Sequence, residues 1–352
     1  MRPAVEEIYV GVLGCGRSAV LDHLPALGCL RDKFRVAAVC DLEKSRRDRV
    51  ECDFPDVRHY RRAEDMLDDS DLDLVYIATP SQLHEQLALD CLGRGFWTVC
   101  EMPAALSHDG AQVLRGASVK SGRKLIAAVP ALFSSEFRAA AIARSRRRLG
   151  DVYDIRIRSG TFFRRDDWQA LKRCGGGASF YAAQEPLMQA LSLLKAPPMQ
   201  MWSDLKQLVS VGDAEDYVRI MLKTSDGVTA DVEASSAAVC PDGPSITLRG
   251  TRGSFLASAE MQGGIYRTID PLQRLPRKRS SVATPPLKAA KEEVRVVEER
   301  LTVPDPMPPH EAFWRAVYAT VREGKPFPVD FDQVVETARY IGIARKSSPF
   351  AN

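Results

Sequence analysis

The stretch GVLGCGRSAVLDHLPAL, residues 11–27, decides how the first part of the chain is read. It continues a β-branched run and passes through Gly14-Cys15-Gly16 into a segment whose apolar residues have helical spacing. Gly14, Gly16 and Ala19 make G-x-G-x-x-A at a strand-to-helix turn. Gly14 permits the tight turn, Gly16 lets a pyrophosphate approach the backbone, and Ala19 lets helix and strand pack closely. The amides freed at the helix start favour an anion, and Arg17 and Ser18 fall among them.

An acid follows at the end of the second apolar run. Asp41 lies 25 residues beyond Gly16, slightly more than the interval of about 20 common in dinucleotide folds. It would accept hydrogen bonds from an adenosine ribose and repel a 2′-phosphate, which points to NAD. Arg46 and Arg47 lie close by and leave NADP open.

Outward from the glycine turn, the runs IYVGVLG (8–14), FRVAAVCD (34–41), DLVYIATP (73–80), FWTVCEM (96–102) and KLIAAVP (124–130) are apolar nearly throughout. Such runs suit strands buried on both faces. Helical patterns separate them, as in SQLHEQLALDCLGRG (81–95), where Leu83, Leu87 and Cys91 share a face. Repeated strand–helix units imply a doubly wound parallel sheet over residues 1–130.

Beyond residue 131 the texture changes. DVYDIRIRSGTFF (151–163), EDYVRIMLKT (215–224), GVTADVEASSAAV (227–239) and SITLRGTRGSFLAS (245–258) read as longer, partly alternating strands. They predict a second, α+β domain over 131–352 with a large, mostly antiparallel open sheet. The segment 177–195 reads as one helix, 263–292 as a surface excursion, and two helices close the chain within 309–347.

With 49 basic and 46 acidic residues the net charge is +3, too balanced to imply nucleic acid. No apolar run has the roughly 18 residues of a membrane span. The eight cysteines, at 15, 29, 40, 52, 91, 100, 174 and 240, form no CxxC pair and no cluster with histidine. These features predict no metal, free thiols and a reducing, cytoplasmic compartment.

Three further stretches carry a family resemblance. IATPSQLHEQLALDCLGRGFWTVCEMP (77–103) resembles an A-T-P-x-x-x-H segment followed by E-K-P. FFRRDDWQALKRCGGGASFYAAQEPLMQALSLL (162–194) resembles a D-W…G-G-G stretch leading into a helix with active-site carboxylate and histidine. VGDAEDYVRIML (211–222) and ITLRGTRGSFLAS (246–258) are similar to strands of a second domain. Together they resemble the glucose-fructose oxidoreductase / inositol dehydrogenase / MocA family across nearly the whole chain.

The resemblance implies an NAD(P)-dependent oxidoreductase of sugars, cyclitols or related alcohols, and a homo-oligomer formed through the second-domain sheet. It implies that Thr79, Pro80 and Ser81 lie along the cofactor, that His84 begins the next helix, and that Glu101 faces the nicotinamide region with Pro103 fixing the chain beyond. It also exposes departures. Met102 stands where the family has the lysine of E-K-P, Glu185 where it has histidine and Met188 where it has aspartate. Tyr181 stands where many relatives have Asp or Asn, and AAVPALFSSEF (127–137) lacks a polar pair.

Methionine has no proton to give, so Met102 cannot do the lysine's work, and Met102 with Met188 would make the pocket floor apolar. Glu185 and Tyr181, four apart and expected on one helical face, are the candidates for proton handling. Trp168 would wall the substrate pocket, and Gly175, Gly176 and Gly177 would let backbone approach nicotinamide or substrate. Two readings follow: an oxidoreductase with rearranged catalysis, or a catalytically silent NAD(H)-binding sensor or partner subunit.

Overall fold

The computed structural model describes residues 6–351 except 70, 123, 240–242, 276–292 and 305. Among the described residues, fourteen strands form two sheets. The first holds β1 (Ile8–Leu13), β2 (Phe34–Cys40), β3 (Arg58–Tyr60), β4 (Leu74–Ile77), β5 (Trp97–Glu101) and β6 (Leu125–Ala128). All pairings are parallel and the order is β3-β2-β1-β4-β5-β6. The order reverses between β1 and β4, so the chain leaving these two strands opens a crevice. The glycine turn follows one of them and Thr79-Pro80 the other.

The second sheet holds β7 (Val152–Gly160), β8 (Pro198–Lys206), β9 (Tyr217–Thr224), β10 (Thr229–Ser235), β11 (Ile246–Gly250), β12 (Gly253–Ser258), β13 (Gly263–Ile269) and β14 (Val296–Thr302). Its order is β14-β13-β12-β11-β7-β10-β9-β8, antiparallel except at β7–β10. Helices Ser135–Ser145, Gln184–Leu193 and Phe331–Lys346 lie against it. Ile155, Ile157, Ile220, Leu222, Val232, Leu248 and Phe255 are buried there. The doubly wound sheet followed by a mostly antiparallel one is the fold class that the sequence predicts.

Four expectations change. The helix read over 177–195 is two, Ala178–Tyr181 and Gln184–Leu193. A continuous helix would drive the Pro186 ring into the Ala182 carbonyl, and the chain breaks there, with Ala182 at φ −125° and ψ −32°. The excursion read over 263–292 starts later, because 263–269 is strand β13. Gly264 lets that strand cross the Phe255 ring, where a Cβ would collide with the ring's edge. Residues 276–292 lie outside the described residues. Strands β8 and β14 were not anticipated. Finally, helix Pro309–Glu323 returns to the first sheet, setting Trp314 against Phe34 and Tyr76 at ring-centroid distances of 5.4 and 5.7 Å, although the sequence reading assigns all of 131–352 to the second domain.

Candidate functional site

The glycine turn is held by the ends of its neighbours. The Gly14 amide donates to the Cys40 carbonyl at 2.8 Å, and the Ala78 amide donates to the Leu13 carbonyl at 2.7 Å. Gly14 has φ +91°, and a Cβ there would stand 2.6 Å from the Ala78 carbonyl oxygen. A side chain is therefore excluded by conformation and by space. Gly16 has nothing nearer than 3.9 Å to a Cβ, so its face of the turn is open.

Asp41 is drawn into this cradle. Its Oδ2 accepts from the Cys15 amide and its Oδ1 from the Glu43 amide, both at 2.9 Å. A carboxylate offers about four lone-pair positions, so acceptor capacity remains for ribose hydroxyls. Arg46 Nη1 stands 3.7 Å from Asp41 Oδ2, and Arg47 donates to the Asp41 carbonyl. Across the crevice, Thr79 Oγ1 is buried without a hydrogen-bond partner among the described residues. The collar of glycines, Asp41 and an unmet hydroxyl fits a dinucleotide.

Glu101 ends β5, and its Oε1 gathers three groups: Ser18 Oγ at 2.8 Å, His23 Nε2 at 3.0 Å and the Tyr76 hydroxyl. Burial would raise its pKa, but the charge and hydrogen bond of His23, with the hydrogen bonds of Tyr76 and Ser18, hold it down to about 2. Glu101 thus stays ionised and ties the first helix to β5, and Ser18 spends its hydroxyl on it. The His310 ring stands edge-on to His23 at 4.8 Å. Burial and the neighbouring imidazole depress its pKa.

Met102 is half-buried, and the Met102–Pro103 bond is cis. His84 fastens the next turn: Nδ1 lies 2.8 Å from the Pro103 carbonyl and Nε2 lies 2.7 Å from the Thr79 carbonyl. His84, Thr79 and Pro103 are therefore stitched together, and Ser81 is buried beside them.

Glu185 opens helix Gln184–Leu193, and its Oε2 accepts from the Ala131 amide at 2.7 Å. Gln189, one turn on, donates to the Ala131 carbonyl at 2.8 Å. The pair grips the chain as it leaves the last parallel strand. Burial pushes the Glu185 carboxyl up, the Ala131 amide pulls it back, and the charge of Glu101 adds to the rise, leaving it at about 7.

Tyr181 does not share a face with Glu185, because the helix breaks between them. Its hydroxyl lies 2.9 Å from Ser236 Oγ, and burial raises its pKa. Trp168 is half-buried in a short turn that Asp167 caps through the Gln169 amide. The Cβ directions of Gly175, Gly176 and Gly177 point into the chain itself. A Cβ on Gly175 would meet Leu106 at 2.8 Å and one on Gly176 the Gln169 carbonyl oxygen at 2.5 Å, while one on Gly177 would strike the Glu215 carboxylate. The chain's own atoms fill those spaces. Met188 is wholly buried in the core and lines no open floor.

Sequence reasoning missed Gln189, Ser236, His310 and Arg165. Of these, Gln189 had a signal, its four-residue spacing from Glu185.

Comparison with known proteins decides the family. Residues 8–129 match the GFO/IDH/MocA oxidoreductase family's NAD-binding Rossmann fold, and residues 137–256 match the GFO/IDH/MocA C-terminal domain. The chain belongs to the GFO/IDH/MocA family. Among family relatives, scyllo-inositol 2-dehydrogenase (NADP(+)) IolW of Bacillus subtilis is 24% identical over 354 residues, spanning 99% of this chain and 95% of the relative. An inositol 2-dehydrogenase of Arthrobacter is 32% identical over 121 residues, 34% of this chain and 36% of the relative. Aldose-aldose oxidoreductase of Caulobacter crescentus, complexed with glycerol, superposes with a TM-score of 0.77 at 18% identity, covering 98% of each chain. GenD2 from gentamicin A biosynthesis, in complex with NAD, gives 0.74 at 21%, covering 97% of this chain and 94% of that one. These two likenesses show a shared fold. Among the described residues, no helix is long and apolar enough to cross a membrane.

Proposed function

We propose that the chain is an NAD-dependent oxidoreductase of a sugar-like or cyclitol alcohol in which Glu185 takes the hydroxyl proton. The supporting observation is Glu185 itself, a half-buried carboxyl held at about 7 by burial and by Glu101. A base with that pKa is half-ionised near neutrality, where proton transfer is most effective. The relatives' names supply the substrate class, since IolW is named for scyllo-inositol and the Caulobacter enzyme for aldoses.

Gly14 and Gly16 would cradle the pyrophosphate, with Arg17, Ser18, Thr79, Pro80 and Ser81 around it, and Asp41 would take the adenosine ribose. NAD is preferred over NADP because Asp41 repels a 2′-phosphate, while Arg46 and Arg47 set the limit of that preference. A bound nicotinamide would supply the acceptor for the hydride of the alcohol carbon. Glu185 accepts the hydroxyl proton as the carbonyl forms, and the Ala131 amide steadies its carboxylate until then. Met102 adds apolar surface and no proton. Tyr181, fixed by Ser236, is a positioning residue, and Trp168 walls the pocket. Tyr181→Phe is expected to raise KM more than it lowers kcat.

Register places Trp202, Met221, Asp231, Arg156, Thr247, Leu256 and Ile265 in one row across the second sheet. Apolar residues flank an ion-paired centre, which supports association of two copies through this face. The described cysteines are all unpaired, in keeping with a reducing, cytoplasmic setting.

The test is calorimetry with NAD(H) and NADP(H), followed by NADH formation from inositols, aldoses and sugar acids. Binding of NAD(H) and slow turnover on at least one class are expected. No heat with either dinucleotide, or turnover untouched by Glu185→Gln, overturns the reading.

A further inference from the structure

The loop between β7 and the glycine triplet holds a residue that the proposed chemistry does not use. Arg165 sits among exposed neighbours, yet its own side chain is 8% exposed. Its guanidinium lies over the Tyr181 ring at 4.2 Å and against the Phe163 ring at 5.2 Å. The same Phe163 ring carries Arg17 of the glycine turn, also at 5.2 Å. Arg165 therefore lies between the dinucleotide turn and the helix of Tyr181.

The hydrogen bonds of Arg165 are incomplete. Nη1 donates to Asp167 Oδ2 at 3.0 Å, while Nε is buried without a partner among the described residues. Asp167 divides its charge, since its Oδ1 accepts from the Gln169 amide at 2.9 Å and its side chain is 44% exposed. A buried guanidinium with an unmet donor is costly, and a ligand that meets the donor removes that cost. With Nη1 engaged by Asp167, the edge that carries Nε is the buried one whose donor is unmet among the described residues. That is the side of the fork that meets a carboxylate through two parallel N–H···O bonds.

We propose that this edge of Arg165 binds a carboxylate on the substrate, so that the alcohol oxidised is a sugar acid or a related hydroxy acid. The inference rests on the oxidoreductase reading for the location of the cleft. Glu101 and Glu185 would repel an unanchored anion, and Met102 offers no cation at the strand end. Arg165, with Arg17 beside the same ring, supplies the positive charge that admits the acid.

The test compares matched ligands by calorimetry on the NADH-saturated protein: glucuronate with glucose, galacturonate with galactose, and glucose 6-phosphate. At least one acid is expected to bind about tenfold or more tightly than its neutral counterpart. Arg165→Gln is expected to abolish that difference, and Arg165→Lys to restore it in part. This wild-type comparison stands even if a variant fails to fold. Acids binding no better than neutral sugars overturns the inference, as does an acid preference that survives in folded Arg165→Gln. A phosphate preference without an acid preference overturns the carboxylate assignment. Selective acid binding without NADH formation in the forward assay defeats the oxidoreductase reading and leaves the subsite standing. Turnover of neutral sugars alone does the reverse.

Discussion

At Glu185 two demands compete at one carboxyl: the Ala131 amide favours the anion, while burial and Glu101 favour the acid, and the acid gains. A group raised above its ordinary 4.5 to about 7 stabilises the fold fully at low pH and loses that contribution as pH climbs through this window. Wild-type Tm is therefore expected to fall relative to Glu185→Gln between about 4.5 and 7, measured by calorimetric scans; a constant difference would contradict the assigned environment. Glu101 has the opposite sign, and its contribution is lost only as pH falls below the ordinary value of 4.5 toward about 2. Met102→Lys alone is expected to gain less than about tenfold in NADH formation, because Met188 is sealed in the core and Glu185 already supplies the proposed base. Met102 stood out in the sequence because the end of a parallel strand is where such folds ordinarily place their chemistry. Arg165 was not legible, since an Arg-Arg-Asp-Asp run reads as solvated and only the folded loop buries its second arginine.

Between elements, the glycine turn and the helix break before Glu185 are fixed by local sterics. Gly14→Ala would put a methyl group 2.6 Å from the Ala78 carbonyl at a left-handed φ. NAD(H) affinity is expected to fall by about tenfold or more, with NADH titration as the check. The parallel strands were readable because burial on both faces demands continuous apolar runs. The break before Glu185 was readable in principle from Pro186, whose ring forbids a helix through Ala182. Strands β13 and β14 were not, because Gly263 and Gly264 weaken local strand character and their pairing is decided by partners distant in sequence. The triple glycine misled for a related reason: it permits close approach, and here the approaching groups are Leu106, Gln169 and Glu215.

Over the whole molecule, the last helices bind the two sheets into one body. Trp314→Ala would empty a wholly buried site beneath the first sheet and is expected to cost about 3–5 kcal/mol in denaturant unfolding. The apolar residues flanking the open face predict that Leu256→Asp shifts a multimer toward monomer in light scattering; an unchanged mass would remove that face from the assembly. The return of Pro309–Glu323 to the dinucleotide sheet could not be read from periodicity, which gives a helix its apolar stripe but not its partner. The central claim is that Glu185 is the base, and the pH profile of NADH formation tests it most directly. Wild-type rate should rise through about 7 as Glu185 ionises and then level. Glu185→Gln should be slower by about 10²–10⁴-fold and lose that rise. The same profile in both proteins would contradict the account.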